Sequence, residues 1–107
     1  MSRTDQVNSL LQQELANLLQ QYVQIDGVLL TVTWVDCSPD LRRAKIGISV
    51  LPDQYYGTAL TELRAKTKLL RQKLASRVRL QFIPKLLWQI DNTEKEAAKI
   101  EEVFAQL

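Results

Sequence analysis

Apolar residues in this chain recur at two different periods, and the change of period limits the fold more than any other feature. Val7, Leu11, Leu15, Leu18 and Tyr22 fall at three- and four-residue steps, with Leu10 and Leu19 widening the stripe. That spacing predicts an amphipathic helix from about Thr4 to Gln21. Thr4 or Ser2 can cap it, and Asp5 sits near the positive end of the helix dipole. After the turn signal Asp26-Gly27 the period drops to two. Val28, Leu30, Val32 and Trp34 share one face of a strand predicted to Asp36, and Leu29, Thr31, Thr33 and Val35 share the other. Ser38-Pro39-Asp40 makes a break, and a second strand follows from about Arg42 to Leu51. Ala44, Ile46, Ile48 and Val50 point inward there, and Arg43, Lys45, Gly47 and Ser49 outward. So clean an alternation implies a sheet covered by helices on one face and open on the other.

The helical period returns from about Tyr55 to Val78, where Leu60, Leu63, Leu70 and Leu74 mark a core stripe. Thr67 occupies that stripe where another apolar residue is expected, and Leu69 is out of phase. Both point to a break near Ala65–Thr67. Pro84 opens a third strand, Lys85 to Asp91, with Leu86, Trp88 and Ile90 on one face. Thr93-Glu94-Lys95-Glu96 is a capping box for a last helix whose stripe is Ala97, Ile100, Phe104 and Leu107. The order predicts an α+β fold with a three-stranded sheet. At 107 residues and 46% apolar content, one domain over 1–107 with one core is expected.

Between Arg64 and Lys85 the chain has eight basic residues and no acid: Arg64, Lys66, Lys68, Arg71, Lys73, Arg77, Arg79 and Lys85, although the net charge is only +2. Solvated helices usually mix signs, because like charges one turn apart repel. A polyanionic partner, most often a phosphate backbone, accounts for such a run; a solvated, all-positive face is the competing explanation. At 100° per residue Arg64, Lys68 and Arg71 lie on one flank of the stripe, and Lys66, Lys73 and Arg77 on the other. Trp34 and Trp88 lie on the apolar faces of their strands, so core packing is favoured over base stacking for both.

Catalysis lacks parts. There is no histidine, and one cysteine, Cys37. The chain therefore has neither the commonest general base nor the commonest metal ligand, and no internal disulfide. Asp36 with Asp40, and Asp91 with Glu94, are the only carboxylate pairs to consider, and both sit where turns and caps place acids. No cofactor, metal or enzymatic activity is expected. The polar start Met1-Ser2-Arg3-Thr4-Asp5-Gln6 is no signal peptide, no segment spans a membrane, and the lone cysteine suits a reducing compartment. A cytoplasmic location is expected.

The order helix, strand, strand, broken helix, strand, helix resembles that of prokaryotic-type KH domains, whose GxxG turn lets backbone approach phosphates. The only glycines are Gly27, Gly47 and Gly57, so no such clamp is formed and RNA binding falls to charged side chains. Four segments together resemble the ribosome-binding factor A family. They are Arg3, Val7 and Glu14–Leu19; Val32–Asp36, Ser38, Asp40-Leu41 and Ala44–Val50; Ala59-Leu60, Leu63, Ala65-Lys66 and Leu70–Ala75; and Leu80, Pro84–Leu86, Asp91-Asn92 and Ile100–Leu107.

The resemblance implies a single KH-like domain, α-β-β-α(kink)α-β-α, with the clamp replaced by a kinked helix at an Ala-x-Gly triplet. The triplet here is Ala65, Lys66 and Thr67, so glycine is replaced; Gln6 for arginine and Trp88 for phenylalanine are smaller departures. It implies a non-catalytic factor that binds the small ribosomal subunit and its 16S rRNA and assists late rRNA maturation, above all in the cold. A monomer that meets other assembly factors, such as a GTPase, transiently is the expected form. The candidate RNA-binding set is Arg64, Lys66, Lys68, Arg71, Lys73, Arg77, Arg79 and Lys85, joined by Arg42, Arg43 and Lys45 on the hairpin and by Arg3. The alternatives are a generic single-stranded RNA-binding module and a protein-interaction adaptor using the acidic closing helix (Glu94, Glu96, Glu101, Glu102). A Cys37-dependent enzyme is the remotest.

Overall fold

Ser2 starts the fold: its hydroxyl accepts the Asp5 amide at 3.1 Å and caps α1, Arg3–Tyr22. The computed structural model describes residues 2–91, so the expected capping box at Thr93 and the closing helix lie outside the described residues. One face of α1 buries Val7, Leu11, Leu15, Leu18 and Leu19. Leu10, expected to widen that stripe, is instead exposed, because the core is narrower than the run of leucines. The turn at Asp26-Gly27 is held by an Ile25–Val28 bridge, with Gly27 at φ +73°, which suits a residue without Cβ.

Strand β1 covers Leu29–Cys37 and β2 covers Arg43–Leu51, paired antiparallel. Strand β3, Lys85–Ile90, pairs parallel with β2, giving the sheet order β1-β2-β3. Parallel neighbours need a crossover, and α2, Tyr56–Ala75, supplies it after a 3-10 turn at Asp53–Tyr55. Leu63, Leu70 and Leu74 of α2 are fully buried with Leu11, Leu15 and Leu18 of α1 against Ile46 and Ile48 of β2. Each such side chain contributes roughly 1.5–3 kcal/mol of burial, and together they fix both helices to one face of the sheet.

Two expectations are corrected. The two-residue alternation does not run through β1, because the register shifts between Val32 and Trp34. The extra residue at this bulge reverses the phase. Val32 faces inward before it, and Val35 and Cys37 after it, so Trp34 turns outward. Trp34 lies opposite Gly47 and covers it so closely that a Cβ on Gly47 would overlap the indole Cε2. Trp88, by contrast, is buried in the core as expected.

The second correction concerns Ala65, Lys66 and Thr67, expected to interrupt the helix. They lie within the single continuous α2. The Thr67 hydroxyl donates to the Leu63 carbonyl one turn back at 2.7 Å and accepts the Trp88 indole N–H at 2.9 Å. A polar residue in the core stripe is therefore satisfied on both sides without breaking the helix.

Candidate nucleic-acid interface

Helix α1 has no basic residue in its last turn, where a cation would offset the negative end of its dipole. α2 and the turn just after it provide three along the side that faces α1. Lys66 Nζ donates to the Tyr22 carbonyl at 2.6 Å and sits 3.9 Å from Glu62. Lys73 Nζ lies 5.5 Å from the centroid of the Tyr22 ring, a cation–π contact. Arg77 reaches Glu14 Oε2 at 3.4 Å and Gln21 Oε1 at 3.1 Å. The flank expected to face a polyanion thus fastens the two helices together. Part of the acid-free run is explained by packing within the molecule.

The opposite flank is different. Arg71 is held by the loop before β3, donating from Nε to the Pro84 carbonyl at 3.2 Å and from Nη2 to the Ile83 carbonyl at 2.7 Å. Arg64 and Lys68 are exposed and have no side-chain partner among the described residues. On the sheet, Arg43 and Lys85 are register neighbours on β2 and β3, with Lys45 two residues further along β2. All three are exposed, as is Arg79 in the loop after α2. Arg42 and Arg3, far apart in sequence, line one cleft. Three of the twelve residues expected to bind RNA, Arg64, Lys68 and Lys85, are therefore exposed with no partner among the described residues, while Arg43 lies in the field of the Asp40 carboxylate and Lys45 stands opposite Asp36 on β1. Lys66, Lys73, Arg77 and Arg71 have intramolecular partners.

The hairpin turn shows why an acid sits among these bases. Asp40 Oδ1 accepts the Ser38 hydroxyl at 2.6 Å and the Arg42 amide at 3.1 Å. These two bonds hold its carboxyl below the usual carboxylate range, despite a small opposing effect of burial. Its first task is to shape the turn that leaves Leu41 at φ +60°. Cys37 is buried, and burial, followed by the charge of Asp36, pushes its thiol up. Such a thiol is protonated near neutral pH, a poor nucleophile. Among the described residues no cluster of His, Cys, Asp or Glu is arranged to hold a metal, and no helix is long and apolar enough to cross a membrane.

Phe82 went unnoticed in the sequence. It is 63% exposed, the most exposed large apolar residue described, and shares its cleft with Arg3 and Arg42. An aromatic inside a basic, acid-free run was the available signal.

A three-stranded sheet with β2 and β3 parallel, two helices on one face and no glycine clamp defines a KH-like α+β domain. Its exposed cations gather along the edge formed by β3. A family model described as ribosome-binding factor A matches residues 3–104, and the chain belongs to that family. A ribosome-binding factor A from Chlorobium luteolum is 40% identical over 105 residues, covering 95% of this chain and 88% of the relative. The crystal structure of ribosome-binding factor A from Thermus thermophilus superposes with a TM-score of 0.72 at 26% identity, covering 81% of this chain and 93% of that one. A Thermus thermophilus homology model, fitted into a cryo-electron-microscopy map of a 30S–ribosome-binding factor A complex, superposes at 0.68 with 26% identity over 78% and 90% of the two chains.

Proposed function

We propose that this chain is a non-catalytic, cytoplasmic RNA-binding factor that associates as a monomer with the small (30S) ribosomal subunit and assists late maturation of its 16S rRNA. The cold is where it matters most, and other assembly factors, among them a GTPase, meet it there transiently. The observation that carries the reading is the set of exposed cations on a KH-like fold without a glycine clamp: Arg64, Lys68 and Lys85, which have no partner among the described residues, with Arg43 and Lys45 beside Lys85 on the sheet. The Thermus thermophilus homology model fitted into the map of a 30S complex supports the choice of the small subunit over other polyanions. Phosphate contacts made by lysine and arginine release counterions, so affinity for the subunit falls steeply with salt.

The test reverses charge only where it does no structural work. Arg64→Glu with Lys68→Glu should release the protein from small subunits in co-sedimentation while leaving its melting temperature near that of the wild type. The log–log salt slope should fall by about 1.5, at 0.7–0.9 per lost contact. Undiminished co-sedimentation of the double variant would refute the interface. The maturation role is read separately, as accumulation of 16S precursor in cells that carry only this variant, measured in the cold. Normal precursor levels there would refute that role.

A further inference from the structure

From the cleft around Phe82 we infer that this ring is a stacking platform for an unstacked base of single-stranded RNA, and this rests on the RNA-binding reading above. The backbone that carries the ring is held in place. Its neighbours Leu80 and Ile83 are partly buried against the core, so the chain is anchored on both sides of it. Arg71 grips the carbonyls of Ile83 and Pro84, and the Lys85 amide donates to the Arg42 carbonyl at 2.8 Å. A side chain that is 63% exposed on so firmly tied a backbone is presented to solvent rather than left loose.

The surroundings select a base rather than an apolar peptide. Phe82 and Arg42 line two clefts, of about 320 and 350 Å³. Arg3 completes the first; Arg3 has no side-chain partner among the described residues, and Arg42 makes no side-chain hydrogen bond there, only feeling the charge of Asp40. Aromatic rings and guanidinium planes are the surfaces on which splayed bases stack, and the same guanidinium charge attracts the adjoining phosphates. The floor also carries edge-reading groups. Asp40 spends both its hydrogen bonds through Oδ1, leaving Oδ2 as an acceptor for an exocyclic amino group, and Gln81 offers a donor and an acceptor beside it. A carboxylate in the cleft disfavours a phosphate at that point and favours a base edge.

The experiment compares two probes: a short single-stranded RNA carrying 2-aminopurine, and an abasic ribose–phosphate chain of equal length. Phe82→Ala should weaken the base-bearing RNA on the order of tenfold or more and abolish the quenching of 2-aminopurine. Its affinity for the abasic chain and its salt slope should match the wild type, and Phe82→Trp should bind as the wild type does. Equal affinity of Phe82→Ala and wild type for the base-bearing RNA, where the wild type co-sediments with small subunits, overturns this inference alone. So does an equal loss on the abasic chain, or a loss on small subunits with none on RNA, which assigns the ring to a protein. A wild type that binds neither small subunits nor RNA overturns the functional reading and this inference together.

Discussion

Removing the hydroxyl of Thr67 should strand a buried donor, and the cost can be worked from the geometry. Trp88 is 9% exposed, and its indole N–H is given the Thr67 hydroxyl at 2.9 Å as acceptor. Thr67→Val preserves shape and branching, and the two residues have similar helix propensity. The Leu63 carbonyl loses an extra donor at 2.7 Å but stays within the hydrogen-bonded helix. What remains is an indole N–H out of water with no partner, which costs about 1–3 kcal/mol. A central value of about 2 kcal/mol lowers the melting temperature of a domain this size by about 8–16 °C. Trp88→Phe costs roughly 1–2 kcal/mol for lost contacts and the space left behind, but removes the donor itself. In Trp88→Phe, then, Thr67→Val becomes nearly harmless. Urea unfolding of the two single variants and the double variant should give a coupling of about 1–2 kcal/mol, the double being more stable than the sum predicts. Thr67→Gly should cost more than Thr67→Val by a few tenths of a kcal/mol, because glycine loosens the helix as well. Additivity to within about 0.5 kcal/mol would refute the reasoning. It would also mean that threonine and tryptophan, the residues standing where the family pattern has glycine and phenylalanine, are independent changes.

Other expected outcomes follow from the same contacts. Arg71→Lys cannot reach both the Ile83 and Pro84 carbonyls; stability should fall by about 1 kcal/mol, with faster amide exchange confined to the loop before β3, and unchanged exchange there would count against the clamp. Gly47→Ala places a methyl into the Trp34 ring and should cost about 1–3 kcal/mol. Displacement of that indole into water should also shift its fluorescence to the red, and an unshifted spectrum would mean the ring does not cover the strand. Asp40 has a folded-state pKa below its unfolded value, so its contribution is present above the unfolded pKa and is lost as the pH falls through the folded one. Asp40→Asn should therefore lower stability slightly at neutral pH, converge with the wild type below about pH 4, and so flatten the acid limb of a stability–pH profile. An acid limb identical to the wild type would rule out this turn as its source.

The elements were legible because each is amphipathic against a single core. The period of three to four marks α1 and α2, the period of two marks β2, and Leu86 with Trp88 marks β3. Periodicity failed at Trp34, because a bulge inserts one residue into a strand and leaves no local mark in a β-branched run. It failed at Thr67 for another reason. The partner that makes a hydroxyl acceptable in the stripe lies 21 residues away, on a strand of the opposite layer. The charge run was visible at once, but its division was not. Which flank of α2 meets α1 is decided by packing, and the missing base in the last turn of α1 gains meaning only when Tyr22 is seen beside Lys66 and Lys73. Phe82 was hidden similarly, since its exposure depends on Leu80 and Ile83 turning inward around it.

The two flanks of α2 do different work with the same residue types, and the difference is physical. Lys66 and Arg77 lie against a helix end and a carboxylate, where partial and full negative charges are already fixed. Their charge is neutralised locally, and what they add is cohesion between α1 and α2. Arg64 and Lys68 project where no such group is found among the described residues, and Lys85 does the same on β3, whereas Arg43 and Lys45 are only partly offset, by Asp40 and Asp36. Like charges left side by side, as Arg43 and Lys85 are in register, repel one another, a cost that a polyanion placed along them reverses in sign. A net charge of only +2 does not oppose this, because screening near physiological salt confines each charge to about 8 Å. What a phosphate chain senses is the local row. The acid-free stretch is thus two devices overlaid in one run of chain from α2 to the start of β3, one closing the core and one left open to solvent.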